Sequence, residues 1–143
     1  MAPGARGLSA WPALLARVLR PVVGEAIVLP DALLARWPEL GAARWRRGGL
    51  PPRIGGWCLG TSTVSAITLY RTIWLSPRAR LDPELLLHEL RHVQQFASSA
   101  TFPLQYAWES VRRGYHRNRF EADAVAYAAR RVRTPLEPST KDV

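Results

Sequence analysis

Apolar residues recur at helical spacing in several stretches of this chain. Trp11, Leu14, Leu15, Val18, Leu19 and Val22 form one such set, with Arg17 and Arg20 between them, which predicts a basic amphipathic helix. A second set is Leu86, Leu90, Val93 and Ala97, widened by Leu87 and Phe96. Asp82 is a natural N-cap for it, Pro83 suits the first helical position, and Glu84 complements the positive end of the dipole. Ser98 to Thr101 end it. A third helix is predicted over Pro103 to Arg113, closed by Gly114. A fourth starts after Asn118 and runs to about Arg133, before Pro135. Its basic last turn, Arg130, Arg131 and Arg133, suits the negative end of the dipole.

The strand signals lie between the first and second helices. Val22 to Leu29 reads as a short strand, and Pro30 and Asp31 open a short helix through Trp37, stopped by Pro38. Arg44 to Arg47, around Trp45, reads as a solvated helix end. Gly48 to Pro52 breaks the pattern. Ile54 to Leu59 is predicted as a strand, with Gly60, Thr61 and Ser62 as a turn. Val64 to Leu75 is the strongest β stretch, with Ile67, Leu69, Ile73 and Leu75 on one parity. It is either one long strand or two short ones joined near Tyr70 and Arg71. The expected class is α+β, with a small, mainly antiparallel sheet packed against helices. A chain of 143 residues suits one domain. It divides into a helical extension over 1–50, a core over 51–135 and a polar tail over 136–143.

Composition narrows the compartment and the partners. Cys58 is the only cysteine, so no disulfide forms within the chain and no cysteine cluster holds a metal. The net charge of +9 is nearly all arginine, with Lys141 the only lysine. Such a charge attracts nucleic acid or anionic membrane nonspecifically. The basic residues are scattered and no nucleic-acid motif is present, so the charge is read as compositional. Arg17 and Arg20 interrupt the first apolar run, which excludes a signal peptide or a membrane span and predicts a cytoplasmic protein. Association of residues 11–22 with a membrane surface stays open as an alternative.

The candidate chemistry sits on the second helix. Leu86 to Gln95 reads L-L-H-E-L-R-H-V-Q-Q. His88 and His92 are four residues apart, hence on one helical face, where two imidazoles can share a metal ion. Glu89, beside the first, can take a proton from water on that metal. Gln95 continues the same stripe, next to the buried one. Two of the three histidines of the chain lie in this motif. A catalytic zinc site needs a third protein ligand. The candidates are Glu109, His116, Glu121 and Asp123. No histidine follows at short spacing, so a carboxylate on a later helix is favoured. Glu121 also occupies a capping-box position after Asn118. The alanines at 122, 124, 126, 128 and 129 give its helix a face of small side chains, which allows close approach to another helix.

These stretches carry a family resemblance. L-L-H-E-L-R-H-V-Q-Q resembles the active helix of small bacterial metallopeptidase-like domains with H-E-L-x-H-V-x-Q. A-I-T-L-Y-R-T-I-W-L looks like their strand pair, whose turn position is often glycine and here is Tyr70. N-R-F-E-A-D-A resembles the N-P-F-E-x-E-A segment of minimal gluzincins. It also looks like the E-x-E-A-x-x-F-A signature of peptidases that cleave phage and stress-response repressors, read here as Glu121, Asp123, Ala124, Tyr127 and Ala128. The likeness covers about residues 60 to 130. It implies a minimal zincin-like fold, one Zn2+ per chain held by His88, His92 and Glu121, and Glu89 as general base. Arg119 stands for the usual proline and Asp123 for a glutamate. Val125 stands where many gluzincins carry an aspartate, so a histidine must be supported from elsewhere, by Asp123 or a backbone carbonyl. Tyr115, His116, Tyr106 and Tyr127 are candidate oxyanion donors, with Tyr115 preferred.

The expectation is a zinc metallopeptidase acting on a protein or peptide held extended along the strand near residues 64–75. Three rivals remain: a zinc-binding interaction module with little turnover, a basic nucleic-acid-associated protein with a structural metal, and an interaction subunit using the first helix.

Overall fold

A computed structural model describes residues 11–58 and 64–134. It is α+β, with six α-helices around one four-stranded sheet. Helix α1 spans Trp11–Val23. Strand β1 is Glu25–Ala26, α2 is Asp31–Arg36, and a 3-10 turn follows over Pro38–Ala42. Strand β2 is Arg44–Arg47, α3 is Pro51–Cys58, β3 is Ala66–Leu69 and β4 is Thr72–Leu75. Helices α4, α5 and α6 span Pro83–Ser98, Phe102–Arg113 and Arg119–Arg133. The predicted turn at 60–62 and the tail at 136–143 lie outside the described residues.

The sheet order is β1-β2-β4-β3. β1 with β2, and β3 with β4, are antiparallel, and β2 and β4 run parallel, so the sheet is mixed, with two of its three pairings antiparallel. Its parallel pair comes from the segment expected to be a solvated helix end. Arg44–Arg47 is instead an inner strand, in which only Trp45 is apolar and buried, its indole N–H donating to Leu40 O at 2.9 Å. The two arginines after it serve backbone carbonyls. Arg46 donates to Val23 O and Gly24 O, and Arg47 to Ala79 O at 2.8 Å. Within the expected helical extension, residues 27–45 belong to the core instead: Leu29, Trp37, Leu40 and Trp45 share it with Ile73, Leu75, Leu86, Leu87 and Leu90.

Two other predicted strands are corrected. Val22–Leu29 yields only the two residues of β1, because α1 continues to Val23 and Gly24 then turns the chain with φ 74°. A Cβ on Gly24 would stand 2.7 Å from Gly48 O, so the chain can pass here only without a side chain. Ile54–Leu59 is not a strand, since Pro51–Cys58 is helical. The paired prolines start α3, where a missing N–H costs nothing. Gly55 then lets the helix meet Val64 and Ile67.

The long β stretch resolves into a hairpin. Tyr70 takes φ 53°, a left-handed conformation that favours glycine. Its ring packs on Phe96 of α4, centroids 5.2 Å apart. A two-residue turn pairs Thr68 with Ile73 and Ile67 with Trp74. Thr68 thus shares the α4 face with Ile73 and Leu75, while Ile67 and Leu69 turn away. The single parity expected of all four apolar residues does not hold, and Leu69 is exposed.

α4 buries Leu86, Leu87, Leu90 and Val93 on the sheet, though Ala97 is exposed. Asp82 caps it, accepting from Leu85 N at 3.2 Å. Asn118 caps α6 through Phe120 N at 2.9 Å. α6 packs along α4 through Ala124 and Ala128, both wholly buried. Of the other alanines of that run, Ala122 and Ala126 are exposed and Ala129 is half-buried. α1 differs from these helices. Its last carbonyls are held by Arg46, Trp74 and Leu50, yet Leu15, Val18, Leu19 and Val22 are exposed along it. Among the described residues no helix is long and apolar enough to cross a membrane.

Overfilling the α4–α6 contact is expected to destabilise the fold. Ala128→Leu should lower the unfolding free energy by about 1–3 kcal/mol in urea titration. Ala122→Leu, on the exposed side of α6, should stay within about 0.5 kcal/mol.

Candidate metal centre

Three side chains converge where α6 crosses α4. His88 Nε2 and His92 Nε2 lie 3.2 Å apart. Glu121 turns one oxygen to each, Oε2 at 3.2 Å from His88 and Oε1 at 3.3 Å from His92. Among the described residues these three form a group able to hold a metal ion. Donors bonded to a tetrahedral ion at roughly 2.0–2.1 Å stand about 3.3 Å apart, so the triangle fits such an ion with little rearrangement. Two imidazoles and one carboxylate suit zinc but do not single it out. The capping-box role open to Glu121 is not taken, because Asn118 N donates to Tyr115 O.

The rival third ligands are placed elsewhere. Glu109 is buried on α5 and pairs with Arg113 and Arg119. His116 is exposed in the connector against the edge of Tyr115. Asp123, two residues after Glu121 on α6, meets no imidazole: its Oδ2 accepts from Arg91 at 2.7 Å and from Gln95 at 2.9 Å. Those bonds, Arg91 foremost, hold its carboxyl below the usual carboxylate range.

Burial sets the electrostatics of the centre. For Glu121, burial favours the neutral acid, but hydrogen bonds from His88, His92 and Tyr106 outweigh it and hold the carboxyl far below its ordinary range. For His92, burial disfavours the cation, yet Glu121, Glu89 and Gln95 together raise its pKa. An ion binding here thus meets an ionised carboxylate and competes with a proton on His92.

Glu89, buried on α4, is anchored from the sheet. Thr68 Oγ1 donates to Glu89 Oε2 at 2.7 Å and lies 3.3 Å from Glu89 O. Thr68 was not among the sequence candidates. Only a two-residue turn puts it on this face, and nothing in Val64–Leu75 declares the turn length. Tyr106 donates to Glu121 Oε1 at 2.5 Å, and its ring stands edge-on to His92. Tyr115 is half-buried beside the same carboxylate. Burial, then the charge of Glu121 and Glu89, pushes both phenols up, so both stay protonated donors at neutral pH. Tyr127 points elsewhere: its hydroxyl accepts from Gln94 at 3.3 Å, and Arg91 lies over its ring. Of the four oxyanion candidates, Tyr106 and Tyr115 border the site.

Comparison with protein-family models, with curated proteins and with solved structures gave no match to this chain.

Zinc added to the metal-free protein is expected to bind at one ion per chain and raise the thermal midpoint, by about 4 kcal/mol of stabilisation at a thousand times the dissociation constant. His92→Ala and Glu121→Ala should each weaken binding by roughly 100-fold or more, as removal of a direct ligand exceeds the effect of its supports. His116→Ala and Glu109→Gln should leave it unchanged. Isothermal titration calorimetry checks all four.

Proposed function

We propose that the chain is a metal-dependent hydrolase of gluzincin type, with His88, His92 and Glu121 as ligands of one zinc ion. Within that class we read it as a peptidase. The observation that carries the reading is the pairing of the three-donor triangle with a buried carboxylate one residue from its first ligand. The resemblance of the α4 and α6 motifs to minimal gluzincins supports the same class.

Zinc in such a site lowers the pKa of a bound water toward neutrality and polarises a carbonyl. The protein's own residues do the rest. Glu89 accepts the water's proton and returns it to the leaving amine. Thr68 occupies Glu89 Oε2, which leaves Oε1 for that transfer and fixes the carboxylate's direction. Tyr115, protonated at neutral pH, donates to the oxygen that gains charge as the peptide carbonyl is attacked. Tyr106, bonded to Glu121 Oε1, holds that carboxylate against the histidines. The substrate backbone pairs with β3, an edge strand beside α4.

Glu89→Gln should bind zinc like the parent and lose about 10²–10⁴-fold in cleavage of an unstructured protein such as casein. Thr68→Val should bind zinc normally and lose about tenfold in rate, the worth of one hydrogen bond to a charged group. Mass spectrometry of the products checks both. An unchanged rate in Glu89→Gln would overturn the assignment of Glu89 as the base, and no cleavage by the zinc-loaded parent would overturn the peptidase reading and leave a zinc-binding interaction module.

A further inference from the structure

We infer that Gln95 is a positioning residue that decides which ring nitrogen of His92 is offered to the metal. The inference rests on the metal-centre reading but is carried by separate contacts. Gln95 is buried, and its amide has three neighbours. Nε2 lies 3.1 Å from Phe120 O and 2.9 Å from Asp123 Oδ2. Oε1 lies 2.8 Å from His92 Nδ1.

The two oxygens facing Nε2 fix the amide's orientation. A backbone carbonyl and an ionised carboxylate only accept hydrogen bonds, so the N–H end must face them. Turning the amide over would set its oxygen against two others and cost both bonds. Oε1 therefore faces His92, and an amide oxygen can only accept. Nδ1 must carry the proton. In the neutral ring that leaves the lone pair on Nε2, the nitrogen next to His88 and Glu121.

Asp123 makes the arrangement firm. Its Oδ2 also accepts from Arg91 Nε at 2.7 Å, and Arg91 Nη1 donates to Gln94 Oε1 at 2.9 Å. The path Arg91–Asp123–Gln95–His92 starts on α4, crosses to α6 and returns to α4. The helix pair that assembles the three donors thus also orients one of them. Asp123 supports the histidine at one remove, through an amide. A neutral imidazole left to itself favours the proton on Nε2, which is the wrong nitrogen for this site.

The test reads the ring nitrogens directly. Nitrogen-15 spectra of the metal-free protein, read at Nδ1 because Nε2 faces Glu121 Oε1, should show Nδ1 of His92 protonated. In Gln95→Leu that proton should leave Nδ1, and zinc affinity measured against a chelating dye should fall about 10–100-fold. The double variant Gln95→Glu/Asp123→Asn keeps an acceptor toward His92 and reverses the bond to position 123 but loses the one to Phe120 O, so the Nδ1 proton should return with part of the affinity. A parent with Nδ1 unprotonated would overturn the inference. So would a Gln95→Leu protein with the parent's spectrum and affinity. If Gln95→Leu does not fold, the parent and the double variant decide it by the same spectrum. If the parent takes up no zinc, the metal-centre reading fails, and the ring spectrum still decides the role of Gln95.

Discussion

The closeness of α6 to α4 is the constraint on which the site depends. Glutamate has a short reach, and its carboxylate can sit 3.2–3.3 Å from two imidazoles of another helix only if the backbones nearly touch. Ala124 and Ala128 allow this, because neither projects beyond Cβ and both are fully buried. A larger residue at either place would press the helices apart. The same proximity brings Asp123 within reach of Arg91 and Gln95. Ligand placement and ligand support are thus two results of one packing contact.

That contact has an electrostatic consequence. A carboxylate and two imidazoles have been drawn out of water, at a cost that their mutual hydrogen bonds offset. The folded chain holds Glu121 ionised, and Glu121, Glu89 and Gln95 outweigh burial to raise the pKa of His92. Two phenols at its edge, Tyr106 and Tyr115, remain protonated and able to donate. Glu89 stands apart from this set, tied to the sheet by Thr68, in keeping with a base rather than a ligand.

Much of the helical part was legible in the chain, because caps and periodicity carry local physics. Asp82, Gly114 and Asn118 mark the ends of α4, α5 and α6 at or within a residue of where they fall. The sheet was less legible. Arg-Trp-Arg-Arg lacks the alternation of a strand, since Arg46 and Arg47 are spent on carbonyls of Val23, Gly24 and the loop before α4. Pro-Pro and Gly-Gly disguised α3. At the site, the i, i+4 histidines follow from helix geometry alone. Glu121 needed the tertiary contact to separate it from Glu109 and His116. Thr68 depended on the two-residue turn at Tyr70, a strained choice offset by the ring's packing on Phe96. Gln95 could be placed on the right face, but the acceptors that orient it come from α6.

The central claim is a centre of two imidazoles and one carboxylate, and X-ray absorption spectroscopy of the zinc-loaded protein tests it most directly. The account predicts a first shell of four nitrogen and oxygen donors at roughly 2.0–2.1 Å, with the outer-shell scattering of two imidazole rings. A sulfur donor at about 2.3 Å, which only Cys58 or Met1 could supply, or a shell with one imidazole or none, would contradict it.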